Sequence, residues 1–518
     1  MNKGKPVGGR VTVRGLGLTA TDLLRVALEG APVEIAPEAV AVMERSRARV
    51  EELAATNTPV YGISTGFGAL AATQIPPPRR SELQHALIRS HAAGVGPPLP
   101  VPVVRGMMAL RLRTLATGFS GVRPAVAEAL CALLNAGVTP LVPTHGSLGA
   151  SGDLAPLAHV GLCLLGEGEA FDSSGRRRPA AEALDDAGLA PLQLDVKEGL
   201  ALVNGTDGML AMLLLDAARS ENLFVTADVT AAMSVEALLG TDRPFAADLQ
   251  ALRPQPGQAR SAANLTRLLE GSGIVASHRH SAHAVQDSYS MRCAPQVAGA
   301  ARDTLDHIRA VAARELESAI DNPVVLADGR VESNGNFHGE PLAFAGDFLA
   351  IAAAEVGAIA ERRVDQLLDP HRSRDLPAFL APEPGVNSGL MLAQYTAAAL
   401  VAENRRLAVP ASVDSIPTSG MQEDHVSMGW GACLKLTRLL DNLGYILAVE
   451  LVCAAEALDL RAPLKPARGT AAVRDLVRTR IPPSGADRPV APDLELAAEL
   501  VNSGEVRRAA EAAVGALA

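Results

Sequence analysis

Apolar positions recur at helical spacing over most of this chain. The segment 19–30, "TATDLLRVALEG", reads as a capped helix, and "GRVTVRG" at 9–15 reads as a strand. Three further segments carry a helical pattern: "RSELQHALIRSHAAG", "VVRGMMALRLRTLATG" and "RPAVAEALCALLNAG". The first and third place glycine near their C-terminal ends, where a left-handed residue closes a helix. Beyond residue 207 the patterns lengthen. Segments 208–240, 296–320, 339–369, 388–407 and 430–462 each read as one long helix, and several are apolar nearly all round. A helix without a polar face belongs inside a bundle or an oligomer. The stretch 477–493, "VRTRIPPSGADRPVAPD", reads as a loop with a short helical tail after it.

The pattern therefore predicts a mainly α protein. A mixed N-terminal domain (1–210) is followed by a central long-helix bundle (211–475) and a C-terminal helical tail (476–518). Composition agrees: 48% of the 518 residues are hydrophobic, only 3% are aromatic, and alanine and leucine dominate. Net charge is −10 with no basic block, which argues against nucleic acid and anionic membrane surfaces as partners. Apolar runs such as "YILAVELVCAAEALDL" are interrupted by Glu450, Glu456 and Asp459, so no segment is expected to span a membrane. "MNKGKPVGGRVTVRG" lacks the apolar core of a signal peptide. Five scattered cysteines without a CxxC pair fit reduced thiols in a cytoplasm rather than disulfides or zinc.

The unusual chemistry lies in "GSLGASGDLAPLAH", 146–159, where a loop of small residues runs straight into an apolar helix. In Ala150-Ser151-Gly152 the Gly152 nitrogen can attack the Ala150 carbonyl carbon, because no Cβ obstructs the compressed geometry. Loss of water, and loss of the Ser151 hydroxyl, would leave 4-methylidene-imidazol-5-one, an electrophile made from the chain itself. Asp153 is placed to help those proton movements and to N-cap the helix that follows.

A bare "ASG" is an ordinary turn. The longer string, with its spacing to the apolar helix, resembles the signature of the histidine and aromatic amino-acid ammonia-lyase family. The resemblance spans nearly the whole chain, from "TATDLL" to "RAPL". It implies a central helical bundle of the fumarase–aspartase type and a self-formed methylidene-imidazolone with no external cofactor and no metal. It also implies an amino-acid substrate, and a homotetramer whose active sites are shared between subunits.

The same resemblance assigns roles along the chain. Tyr61, in the glycine-rich loop "YGISTGFGAL", stands at the family's catalytic base. Asn204 in "VNGTDG" stands at the residue that contacts substrate and prosthetic ring. "VQDSYSMRCAPQV" supplies Gln286, Tyr289 and Arg292; Tyr289 and Arg292, three apart, share a helix face, and arginine is a natural clamp for a carboxylate. Phe337 in "SNGNFHGEP" matches the ring-packing phenylalanine. His91 falls where the family varies its selectivity residue, and Glu423 falls where histidine-specific members carry glutamate. A His–Glu pair suits an imidazole, which has one donor and one acceptor when neutral, whereas a phenyl ring would leave both groups unpaired. The implied reaction is deamination of L-histidine to trans-urocanate and ammonia. The alternatives are a tyrosine or phenylalanine lyase or 2,3-aminomutase using the same ring, and a helical protein that has lost catalysis. The histidines of "SHRHSAHAVQD" (His278, His280, His283) lack a carboxylate or cysteine shell and read as a solvated loop rather than a metal site.

Overall fold

A computed structural model describes residues 9–56, 58–281 and 285–518. Helices form where the apolar periodicity puts them. The Thr19 hydroxyl accepts a hydrogen bond from the Asp22 amide at 3.1 Å, and the Asp22 carboxylate accepts one from the Thr19 amide at 3.3 Å. This capping box starts Ala20–Leu24. A wider π turn, Arg25–Glu29, continues it to Gly30 at φ 68°. Strand Val11–Val13 pairs in parallel with Val33–Ile35. Helix Pro124–Ala136 closes on Gly137 at φ 70° as expected. Helix Arg80–His91 closes on Ala92 instead. Its glycine, Gly94, lies two residues further on, where a Cβ would stand 3.1 Å from His159 Nε2 and the Gly94 amide donates to that nitrogen.

The long apolar patterns become helices Asp207–Ala237, Ala294–Leu316, Glu340–Leu368, Met391–Leu407 and Gly429–Leu460. The stretch expected as a loop is shorter than its sequence reads: helix Arg468–Arg478 enters it and helix Ala491–Asn502 starts inside it, ahead of Glu505–Val514. Helix Glu340–Leu368 departs from the expectation that no segment could span a membrane. It is long and apolar enough by length and composition, yet 56% of the relevant window is buried within the protein, as in the core helix of a globular fold.

The described residues form two compact units, each drawn from separate stretches of chain. One comprises residues up to Leu215, Arg309–Gly346 and Ala411–Leu434; the other comprises Asp216–Ile308, Asp347–Pro410 and Lys435–Ala518. Linear blocks cannot express this division, because single long helices contribute residues to both units.

In the first unit, helix Val101–Ala116 is buried from Val103 onward, including three arginines. Arg111 shows how such a charge is accommodated. Its guanidinium donates to the carbonyls of Ala201, Asn204 and Ile320 and pairs with Asp207 at 3.2 Å. A buried charge persists only when it is paired and hydrogen-bonded. Here the pairing also fixes the backbone at Asn204. Nearby, Lys197 Nζ and Asp321 Oδ2 form a fully buried ion pair at 2.8 Å. In the second unit, Glu450 is wholly buried and accepts hydrogen bonds from Thr230, Ser234 and both sides of the Arg363 guanidinium.

Candidate active site

Ser151 donates its hydroxyl hydrogen to Glu423 Oε1 at 2.9 Å, although 272 residues separate them. The other carboxylate oxygen, Oε2, accepts from Thr418 Oγ1 at 2.6 Å. Backbone bonds in both directions between Thr418 and Glu423 hold the turn that presents this acid. Glu423 is therefore an oriented, half-buried acceptor, not a free surface acid.

The small-residue loop is held from several sides. Gly149 O accepts from Ser427 Oγ at 2.9 Å, and the Asp153 amide donates to Gly205 O at 2.7 Å. Gly152 sits at φ +76°, paired with Gly205; a Cβ there would stand 2.2 Å from Gly205 O. Only glycine fits both the dihedral and the space.

Asp153 corrects the sequence reading. It occupies the N-cap position of Leu154–Leu164, but its side chain makes no capping bond there. Its Oδ2 instead accepts from the amides of Gly208 and Met209 at 2.8 and 3.0 Å, at the start of helix Asp207–Ala237, and Oδ1 accepts from Ser147 Oγ at 3.1 Å. The orphan amides of that long helix are an equally good anion site, and it lies beside the loop. Burial pushes the carboxyl up to about 7; the Met209, Ser147 and Gly208 bonds oppose that shift and the neighbouring Asp207 adds to it.

Tyr61, His91, Ala150, Ser151, Asn204, Phe337 and Glu423 all line one cavity of about 970 Å³ within the first unit. The Gly68 amide donates to Tyr61 Oη at 3.1 Å, and the rings of Tyr61 and Phe67 meet edge to face. Asn204 is buried; its Nδ2 donates to Asn322 O at 3.0 Å, while Oδ1 has no hydrogen-bond partner among the described residues. His91 ends its helix with Nδ1 3.1 Å from Ser90 Oγ. Burial holds its pKa below the ordinary imidazole value, against opposing contributions from the Leu87 carbonyl and the Glu423 charge. A neutral imidazole beside an oriented carboxylate offers a donor–acceptor pair to a ligand.

Gln286, Tyr289 and Arg292 belong to the second unit and do not line this cavity. Tyr289 and Arg292 share a short helix, with the guanidinium 4.6 Å above the phenol ring. Tyr289 is 70% exposed and Gln286 is exposed. Of the "SHRHSAHAVQD" histidines, His278 Nε2 lies 3.0 Å from Gly240 O, His280 is exposed, and His283 lies outside the described residues. A second cavity of about 1,120 Å³, in the second unit and lined by small apolar residues and by charged and polar ones around Phe245 and Leu269, carries none of the expected site residues.

Thr418, Asn322, His338 and His425 were not singled out from sequence. The last three line the cavity, and for the two histidines the "FHGE" and "EDH" strings hold the only signal that could have found them.

The family model for aromatic amino acid lyases matches residues 18–479. The chain belongs to the aromatic amino acid lyase family. Among curated members of the family, it is 56% identical to histidine ammonia-lyase of Streptomyces coelicolor, over 98% of this chain and 99% of that one. It is 49% identical to histidine ammonia-lyase of Myxococcus xanthus, over 97% and 99%. Among solved family structures, tyrosine aminomutase from Streptomyces globisporus superposes with a TM-score of 0.92 at 40% identity, covering 98% of this chain and 99% of that one. Histidine ammonia-lyase from Trypanosoma cruzi superposes at 0.89 with 41% identity, covering 98% and 96%. The fold is thus the mainly α fold of the family.

Proposed function

We propose that this chain is a carbon–nitrogen lyase that deaminates L-histidine to trans-urocanate and ammonia. Membership of the family and the activity named for the relatives at 49–56% identity support the reaction class. The single observation that carries the substrate is the Ser151–Glu423 hydrogen bond in a cavity that His91 also lines.

The residues present fit a self-formed methylidene-imidazolone. Ala150 and Ser151 face the cavity, a Cβ at Gly152 has no room, and Asn204, whose Oδ1 has no hydrogen-bond partner among the described residues, lines the same cavity. Such a group would be held by Ala150, Ser151 and Gly152, with Asp153 anchoring the loop to the helix behind it. Once formed, it supplies an electrophilic carbon that converts a poor leaving group into a better one. The remaining work falls to side chains. His91 and Glu423 orient the imidazole. Tyr61 accepts the β-proton at the oxygen that the Gly68 amide holds in place. In the proposed homotetramer, Arg292 and Tyr289 of another copy reach the substrate carboxylate, and Phe337 packs against the ring system. The exposure of Tyr289 supports that arrangement. We place the enzyme in the cytoplasm.

The high structural similarity to tyrosine aminomutase supports a second reading, in which the same group acts on tyrosine. A panel of L-histidine, L-tyrosine and L-phenylalanine, followed by the ultraviolet absorbance of each conjugated acid, separates the two. Urocanate formation lost in Ser151→Ala, together with loss of two water masses from the Ser151 peptide of wild type, is the expected result. An unreacted peptide in active enzyme overturns the proposal.

A further inference from the structure

The first unit brings together three metal-donor side chains that the deamination chemistry does not use. His338 and Glu340 lie two residues apart, at the end of the "SNGNFHGE" loop and the start of helix Glu340–Leu368. His425 arrives from the "QEDH" turn, two residues beyond Glu423. One ligand atom from each lies within 4.8 Å of the others.

Three features of the cluster point to a cation. His338 Nε2 and His425 Nδ1 stand 3.5 Å apart with their rings stacked. That is long for an N–H···N hydrogen bond. It is close to the ligand–ligand spacing of roughly 3.3 Å set by two imidazoles on a tetrahedral zinc at about 2.0–2.1 Å. Second, Glu340 Oε2 is sealed from solvent and has no hydrogen-bond partner among the described residues. A buried carboxylate oxygen left unpaired is costly, and the other ring nitrogen of His338, Nδ1, lies 3.9 Å from it. Third, the donor set is chemically coherent: two imidazoles and a carboxylate suit a borderline divalent transition metal and leave further coordination positions open.

We propose that His338, Glu340 and His425 form a binding site for one divalent cation of the zinc class. His338 and His425 both line the cavity, so the open positions of the ion face the space a ligand occupies. An imidazole or carboxylate entering the cavity could complete its coordination. The three donors lie outside the Ser151 loop, to which the Gly339 amide between His338 and Glu340 donates at Gly149 O, 3.2 Å away. The site stands or falls separately from the proposed deamination, which is assayed by urocanate in chelator-treated enzyme.

The test uses full-length protein stripped with a chelator and titrated with Zn²⁺ by calorimetry, then with Co²⁺ followed by its visible spectrum. One equivalent per chain is expected, with tetrahedral Co²⁺ absorption that shifts on adding imidazole. His425→Ala and His338→Ala should each weaken Zn²⁺ at least about tenfold, or 1.4 kcal/mol. Glu340→Gln should weaken it with a smaller change. His280→Asn, in the chain's other histidine-rich stretch, should bind as wild type. His425 is exposed, so its replacement keeps the test valid if His338→Ala does not fold. Binding below one equivalent, or binding unchanged in His425→Ala, overturns the site.

Discussion

Replacing Gly152 with alanine should cost far more than an ordinary left-handed glycine does. Two effects combine. At φ +76° any L side chain is strained, by about 1–2 kcal/mol. The new Cβ would also stand 2.2, 2.4 and 2.8 Å from the O, C and N atoms of Gly205. These are backbone atoms and cannot rotate away, so overpacking adds about 1–3 kcal/mol. The shift needed to relieve the clash breaks the 2.7 Å bond from the Asp153 amide to Gly205 O, worth about 1 kcal/mol. The sum is about 3–6 kcal/mol, a large share of typical stability.

Gly175 provides the control. It has φ +82° but nothing within 4 Å of a Cβ, so Gly175→Ala should cost only the strain of about 1–2 kcal/mol. The two variants are compared with wild type by urea denaturation at one protein concentration, with hydrogen exchange locating the loss. Protection should fall at the 146–153 loop and at the start of helix Asp207–Ala237. If Gly152→Ala is no more destabilising than Gly175→Ala, the close approach of the two backbones is not real, and the argument for glycine in the reactive triplet fails with it.

Other substitutions probe recognition and the buried charges. Glu423→Leu and His91→Phe should each lower kcat/KM for histidine by at least about tenfold, because each leaves an imidazole nitrogen unpaired; steady-state urocanate assays check this. Asp216 is buried and pushed up to about 7 by desolvation, against a Thr437 hydrogen bond. An acid raised in the folded state favours folding most below its unfolded pKa, near 3.8, and loses that contribution as pH rises towards 7. The stability of wild type relative to Asp216→Asn should therefore grow on going from pH 7.5 to 5.5, by up to about 1.4 kcal/mol per pH unit, read from urea midpoints. Arg363→Leu should destabilise by about 3–5 kcal/mol by stranding Glu450, and Arg363→Leu with Glu450→Leu should recover much of that loss.

Much of this protein was legible in one dimension because its signals are local. Helical periodicity located the long helices to within a few residues, and the Thr19 capping box and the Gly137 terminus followed from neighbouring side chains. The "GSLGASGD" string pointed to its loop because ring closure needs only three consecutive residues. Local spacing could not say where a side chain finds its partner. Asp153 stands at the head of one helix and caps another 55 residues away, since both sets of orphan amides compete for it and only packing decides. Glu423 read alone is a solvated acid; its meeting with Ser151 and Thr418 is a product of the folded chain. The cavity gathers residues from 61 to 425, and the His338–Glu340–His425 cluster joins two short strings that carry no shared pattern. Residue order along the chain determined which segments are helices and which triplet the proposed ring would use. Distances between segments, set by burial and by the pairing of groups withdrawn from water, decided which residues share a site.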